Sequence, residues 1–186
     1  MKKINIIIGR FQPFTKGHLK CINYIYRTFE IPTIIIMIET PDNRIDEKHP
    51  FSSSFLLPIY NELFRDYNEI EGVILAKNAN IVEIGQMLYD KGYVIDSWVC
   101  GTDRYSSYKR MSEKYKEQAH LSNEFKLIEI KRSNEDISAT KVRQSLLNNN
   151  YFEFTECMPF FPLKTHLKLN LYNTLRNRLL KVYEKV

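Results

Sequence analysis

Ile4-Asn5-Ile6-Ile7-Ile8-Gly9-Arg10-Phe11-Gln12-Pro13-Phe14-Thr15-Lys16-Gly17-His18 is the stretch on which the reading of this chain turns. The β-branched run before Gly9 reads as a buried strand. Gly9 lets the chain turn sharply at its end, where a Cβ would clash. Thr15, Lys16, Gly17 and His18 fall where a helix should begin, and Leu19, Ile22, Tyr24, Ile25 and Tyr26 supply its apolar positions. The first N–H groups of a helix have no intrahelical partner, and the dipole there is positive, so the place suits phosphate. Gly17 permits close backbone approach, and Arg10, Lys16 and His18 add donors and positive charge. The segment reads as a polyphosphate site.

Outward from that stretch, strands and helices alternate. Strands are expected at residues 3–8, 33–38, 72–76, 94–100 and 125–130, with helices near 17–29, 52–67, 81–91 and 106–120. The first strands are nearly continuous apolar runs, as a parallel sheet covered on both faces requires. The expected fold is therefore α/β: a three-layer α/β/α, Rossmann-like, doubly wound parallel sheet of about five strands with a C-terminal helical extension. Ligands of such sheets bind beyond the carboxyl ends of the strands, which is where residues 9–18 fall.

A length of 186 residues suits one such domain at residues 1–150 plus an appendage at 151–186. In the appendage, Cys157-Met158-Pro159-Phe160-Phe161-Pro162 is a proline-punctuated connector. Residues 163–186 read as one amphipathic helix that packs on the domain or on a second subunit, which would make a homo-oligomer. The net charge of +5 favours anionic ligands but does not choose among them. Cys21, Cys100 and Cys157 are odd in number and form no CxxC or Cys/His cluster, so neither a disulfide framework nor a metal site is expected. No apolar run approaches bilayer length and no signal peptide is read at the start, which together place the expected protein in the cytoplasm, away from membranes.

A second cluster, Lys131-Arg132-Ser133-Asn134-Glu135-Asp136-Ile137-Ser138-Ala139-Thr140-Lys141-Val142-Arg143, follows the fifth strand. Ser138 reads as the N-cap of a new helix. Its hydroxyl, that of Thr140 and the unpaired N–H groups can address one anion, with Arg143 a turn further on.

Taken together, Gly-Arg-Phe-Gln-Pro-Phe-Thr-Lys-Gly-His and Ile-Ser-Ala-Thr-Lys-Val-Arg resemble the signatures of the HxGH nucleotidylyltransferase superfamily, the cytidylyltransferase-like enzymes, in order and in separation. The Gly-Arg-Phe-Gln-Pro form is most similar to archaeal-type nicotinamide mononucleotide adenylyltransferases. The resemblance implies transfer of AMP from ATP to the phosphate of nicotinamide mononucleotide, giving NAD and pyrophosphate. It implies Mg2+ held mainly by substrate phosphates, with no protein metal site. It assigns catalysis to His18, Arg10, Lys16 and Arg143, with His18 on the α-phosphate. Nucleotide binding falls to Gly9, Phe11, Thr15, Gly17, Gly101, Asp103, Ile137, Ser138 and Thr140.

The acceptor would meet Thr15, Lys48, Arg44, Trp98 and Arg104. Lys48-His49-Pro50-Phe51-Ser52 resembles the Arg/Asn-x-Pro-Phe-Thr region of the archaeal-type enzymes, in which a basic residue meets phosphate. His49 itself reads as a loop or capping residue, and Trp98 as either a stacking ring or core. Thr15 stands where the nicotinamide-type motif has histidine, as in the TxGH of pantetheine-phosphate adenylyltransferases. That departure bears on the acceptor and leaves the reaction class intact. The same chemistry on phosphopantetheine, flavin mononucleotide, or a polyol phosphate with CTP is the alternative. A non-catalytic nucleotide- or RNA-binding module has the basic end helix in its favour, but it has no need of His18. Nucleic acid is accordingly not an expected partner. A dinucleotide oxidoreductase is opposed by the lack of G-x-G-x-x-G after the first strand.

Overall fold

The computed structural model describes residues 1–131, 137–159 and 165–185. Residues 132–136 of the second basic cluster, 160–162 of the connector, and Leu163, Lys164 and Val186 of the end helix lie outside the described residues. Five parallel strands, β1 (Lys2–Gly9), β2 (Thr33–Ile38), β3 (Ile70–Ala76), β4 (Tyr93–Gly101) and β5 (Leu121–Ile130), form one sheet in the order β3-β2-β1-β4-β5. The helices among the described residues are α1 (Lys16–Phe29), α2 (Ser53–Phe64), α3 (Ile81–Asp90), α4 (Thr102–Lys114), α5 (Ala139–Leu147), α6 (Tyr151–Cys157) and α7 (Thr165–Tyr183). Helices cover both faces of the sheet, so the protein has the doubly wound Rossmann-like fold with a C-terminal helix.

Two compact units make up the chain, and neither is a single stretch of sequence. One comprises residues 1–9, 21–38 and 67–134; the other comprises residues 10–20, 39–66 and 135–186.

In the sheet unit the alternation of strand side chains divides the core. Ile4, Ile6, Ile34, Ile36 and Ile95 join Ile81, Ile84 and Leu88 of α3 and Tyr108 of α4 in one buried cluster. The alternate positions Asn5, Ile7, Ile35, Met37, Ser97 and Val99 are also buried, as a parallel sheet with two covered faces demands. Ile4 pairs with Ile95 and Asn5 with Ser97, so Asp96 is an extra residue in β4. That bulge brings Ile95 and Trp98 to the same core cluster although they are three residues apart. Asp96 itself accepts from the Ser122 hydroxyl and lies 3.3 Å from the Lys3 ammonium. Asn5 is buried with its amide paired at both ends: Nδ2 donates to Thr33 Oγ1 at 2.9 Å, and Oδ1 accepts from the Ser97 hydroxyl at 2.9 Å.

Gly85 of α3 packs on the backbone of Ala119, and a Cβ there would overlap the Ala119 carbonyl. Gly72 in β3 has open space around it. Gly85→Ala should therefore destabilise the protein by about 1–3 kcal/mol through overpacking, whereas Gly72→Ala should be neutral or slightly stabilising. Urea denaturation of the two variants checks this, and equal midpoints would contradict it.

Candidate functional site

The second unit contains the loop that follows β1, the N-terminal turns of α1 and α5, and the loop after β2. The loop at residues 10–15 has no ladder to satisfy its backbone, and side chains do that work. Tyr60 of α2, fully buried, donates its hydroxyl proton to the Phe11 carbonyl and accepts from the Phe14 N–H at 2.8 Å. Gln12 is buried too: its Nε2 donates to the Phe51 carbonyl at 2.7 Å, and its Oε1 accepts from the Phe51 N–H at 3.0 Å. The amide thereby mimics a strand partner for residue 51. Arg143 of α5 donates from Nη1 to the Gln12 carbonyl at 2.7 Å. These bonds hold Phe11 at φ 50°, a left-handed conformation that a bulky residue adopts only when its surroundings impose it.

Thr15 and His18 open α1 together. The Thr15 carbonyl accepts from the Leu19 N–H, and the Thr15 N–H donates to His18 Nδ1 at 3.0 Å. This bond is one half of a capping box, with an imidazole in place of the usual carboxylate. An amide N–H has only a proton to give, so Nδ1 is the acceptor and the neutral ring carries its proton on Nε2. The Thr15 hydroxyl sits 3.1 Å from the same Nδ1. Phe11 meets the ring edge-on at 5.0 Å and Phe14 lies tilted against it at 5.1 Å, which fixes its plane. Packing and hydrogen bonding thus present one N–H of His18 in one orientation.

The N-terminus of α5 approaches that of α1 closely. A Cβ on Gly17 would lie 2.9 Å from the Ile137 carbonyl oxygen, so only glycine leaves both turns where they are. Ser138 caps α5, as expected, by accepting from the Lys141 N–H at 3.1 Å. Thr140 Oγ1 accepts from Arg143 Nη2 at 3.3 Å. Both hydroxyls keep their own proton to donate to an anion. Burial lowers the basicity of the Arg143 guanidinium, against the carboxylate of Asp46 and the phenol of Tyr183, which raise it.

These elements enclose an open cleft of about 450 Å³ lined by Arg10, Phe11, Gln12, His18, Lys48, His49, Ala139, Thr140 and Arg143. Arg10, Lys48 and Arg143 give its lining positive charge, which suits an anion. Six of the residues expected at the site, Arg10, Phe11, His18, Lys48, Thr140 and Arg143, come together here. Thr15, Gly17, Ile137 and Ser138 form the two helix starts behind it. Lys16 is exposed on the first turn of α1, and Arg44 is exposed in a 3-10 turn, Asp42–Arg44. Gly9 ends β1.

Gly101, Asp103, Trp98 and Arg104 belong to the sheet unit. Asp103 folds back toward Gly101, and Arg104 Nε lies 3.8 Å from Asp103 Oδ2. Trp98 is fully buried and stacks on Tyr108 at 4.0 Å, so in this structure its ring is core. Gln12, His49 and Ala139 line the cleft without having been singled out as site residues. Gln12 is legible only once Phe51, 39 residues on, is known to be its partner.

The family model for cytidylyltransferase-like proteins matches residues 6–145 of this chain, which include both motifs. Among curated proteins none matches. Similar solved structures include a protein of Vibrio parahaemolyticus assigned provisionally as a nicotinate-nucleotide adenylyltransferase, at 16% identity and TM-score 0.54, covering 95% of this chain and 96% of that one. A nicotinic acid mononucleotide adenylyltransferase of Plasmodium falciparum is similar at 14% identity, covering 94% of this chain and 98% of that one. Its TM-scores are 0.51 in complex with APC and 0.53 in complex with NaAD. At these identities the likeness is one of fold.

Burial drives the Tyr60 phenol far above its usual range, so it stays protonated and serves only as a bridge. Tyr60→Phe would leave the Phe14 N–H and the Phe11 carbonyl without it. We expect a loss of about 1–3 kcal/mol in denaturant unfolding. We also expect faster amide exchange at residues 11–14, and unchanged exchange there would contradict the bracing role.

Proposed function

Because the chain belongs to the cytidylyltransferase-like family and is a nucleotidyltransferase, we propose that it transfers AMP from ATP to the phosphate of nicotinamide mononucleotide, giving NAD and pyrophosphate. The observation that supports this reading is the gathering of Arg10, His18, Thr140 and Arg143, at and beside two helix N-termini, around one cleft. The Gly-Arg-Phe-Gln-Pro sequence supports the nicotinamide acceptor, whereas the similar solved structures, named for the nicotinate nucleotide, share the fold.

In the proposed reaction a phosphate oxygen of the acceptor forms a bond to the α-phosphorus. The bond from that phosphorus to the bridging oxygen breaks, and its electron pair leaves with pyrophosphate. No protein nucleophile takes part, so the chain contributes position and charge. His18 donates from Nε2 to the α-phosphate, where charge builds. Ser138, Thr140, Arg10, Lys16 and the N–H groups of both helices hold the β- and γ-phosphates, and Arg143 fastens that set to the loop at residues 10–15.

No group of three His, Cys, Asp or Glu among the described residues could hold a metal ion. In the proposed reaction a magnesium ion would be ligated mainly by phosphate oxygens and water and would neutralise triphosphate charge. Thr15, where the nicotinamide-type motif has histidine, is buried against His18. We read its hydroxyl as support for His18, compatible with this acceptor.

Pyrophosphate release should require ATP, magnesium and nicotinamide mononucleotide together, and His18→Ala should lower kcat roughly 10²–10³-fold with the fold intact. Release that depends on another phosphorylated acceptor, or on CTP, would overturn the substrate while keeping the chemistry. Gly17→Ala should weaken ATP binding in titration calorimetry by forcing the two helix starts apart. Unchanged affinity would dissociate that contact from the triphosphate site.

A further inference from the structure

Resting on the adenylyl-transfer reading above, we propose that Thr40 is a positioning residue: its hydroxyl turns Arg10 so that the guanidinium offers its Nε–Nη2 edge to the triphosphate. Arg10 follows β1 and Thr40 follows β2, and both belong to the unit that contains the cleft. Arg10 Nη1 donates to Thr40 Oγ1 at 3.3 Å and to the Glu39 carbonyl at 3.3 Å. A guanidinium carries its N–H bonds in a rigid fork, two of them on Nη1. With those two on protein oxygens, Nε–H and the Nη2 pair remain, and that edge can meet two phosphate oxygens with parallel bonds. Arg10 lines the cleft beside His18, Thr140 and Arg143, where such a phosphate would lie.

The Thr40 hydroxyl is a fixed point for this purpose. Thr40 is buried, and its backbone is clamped on both sides by the first residue of α2. Its N–H donates to Ser53 Oγ at 2.6 Å, and its carbonyl accepts from the Ser53 N–H at 2.9 Å. A β-branched side chain on so fixed a backbone has few positions for its oxygen. Oγ1 also meets Gln12 Nε2 at a longer 3.5 Å, which its second lone pair allows. Gln12 is itself tied to residue 51, so the loops after β1 and β2 meet at this one hydroxyl.

Arg10 is different in kind. Its side chain is long and exposed, and an arginine in that setting loses much rotamer freedom when it grips a ligand. An anchor made beforehand removes part of that cost. Both anchors are neutral oxygens, so they aim the positive charge without cancelling it. Thr40 thus acts on the triphosphate through Arg10 alone.

Titration calorimetry of the whole protein with ATP and magnesium tests this, with thermal melts to show that each variant is folded. Thr40→Val and Thr40→Ala both delete the hydroxyl and should weaken ATP binding about fivefold, whereas Thr40→Ser keeps it and should stay within about twofold of wild type. A merely structural role would weaken binding in any background. Thr40→Val added to Arg10→Ala should therefore cost nothing further, and a loss that adds in full would overturn the proposal. Arg10→Lys leaves the buried site untouched and keeps the charge, but it has no fork to divide between Thr40 and phosphate. It should bind ATP about tenfold more weakly, and wild-type affinity there would also overturn the proposal. In steady-state kinetics the Thr40→Val loss should fall on the ATP KM, with the nicotinamide mononucleotide KM within about twofold. Equal effects on both substrates, or full ATP affinity in both hydroxyl deletions, would count against Thr40 while leaving adenylyl transfer standing. A wild type that neither binds ATP nor releases pyrophosphate from it would bring down the adenylyl-transfer reading, and this role with it.

Discussion

The backbone between Arg10 and Thr15 is the constraint on which the site depends. It leaves the sheet in a shape that neither helix nor strand supports, and buried N–H and C=O groups cannot be left unpaired. Two side chains from distant places, Tyr60 and Arg143, answer that need, and the loop's own Gln12 ties it to a third segment. Tyr60 closes the bonds of Phe11 and Phe14, Gln12 reaches to Phe51, and Arg143 takes the Gln12 carbonyl. With those bonds made, Phe11 and Phe14 form the slot that orients His18. Catalytic geometry here follows from backbone satisfaction.

Arg143 joins structure and chemistry in one group. Nη1 is committed to the Gln12 carbonyl and Nη2 to Thr140, yet the guanidinium still lines the cleft. Its five N–H bonds permit both roles, which a lysine ammonium on a flexible stem cannot reproduce with the same geometry. Partial burial takes solvent from its charge and outweighs the nearby Tyr183 and Asp46. An incoming phosphate would relieve that condition, which is one way a folded protein holds a site ready for an anion.

Much of the sheet was legible because β-branched runs of this length admit few other structures. β2 falls at the residues expected, and β1 and β4 differ by a residue or so at their ends. β5 begins earlier than expected, at Leu121, because the polar Ser122–Glu124 stretch hides its period. α4 starts at Thr102, well before the expected residue 106, since Gly101 ends the strand and caps the helix in the same step. α6 was not anticipated: seven residues are too few for a periodic signal, and its cap is the Asn150 side chain. The helix starts were readable from Ser138 and from Thr15 to His18, local patterns with local causes. Gln12, Tyr60 and His49 were not, because each takes its meaning from residues to which the chain returns later or from a cleft the linear sequence does not display. Trp98 was readable both ways, and the bulge at Asp96 is what turns it into the core.

The buried triad of Asn5, Thr33 and Ser97 joins strands β1, β2 and β4 through one amide. Each hydroxyl depends on that amide for its partner, and the amide depends on both. In lineages descended from this sequence the three positions are therefore linked in inheritance. An aliphatic residue arriving at position 5 strands two hydroxyls in the dry interior, and selection then favours their loss as well. Intermediates with one or two of the changes are the unfit ones, so the trio should be found whole or wholly replaced.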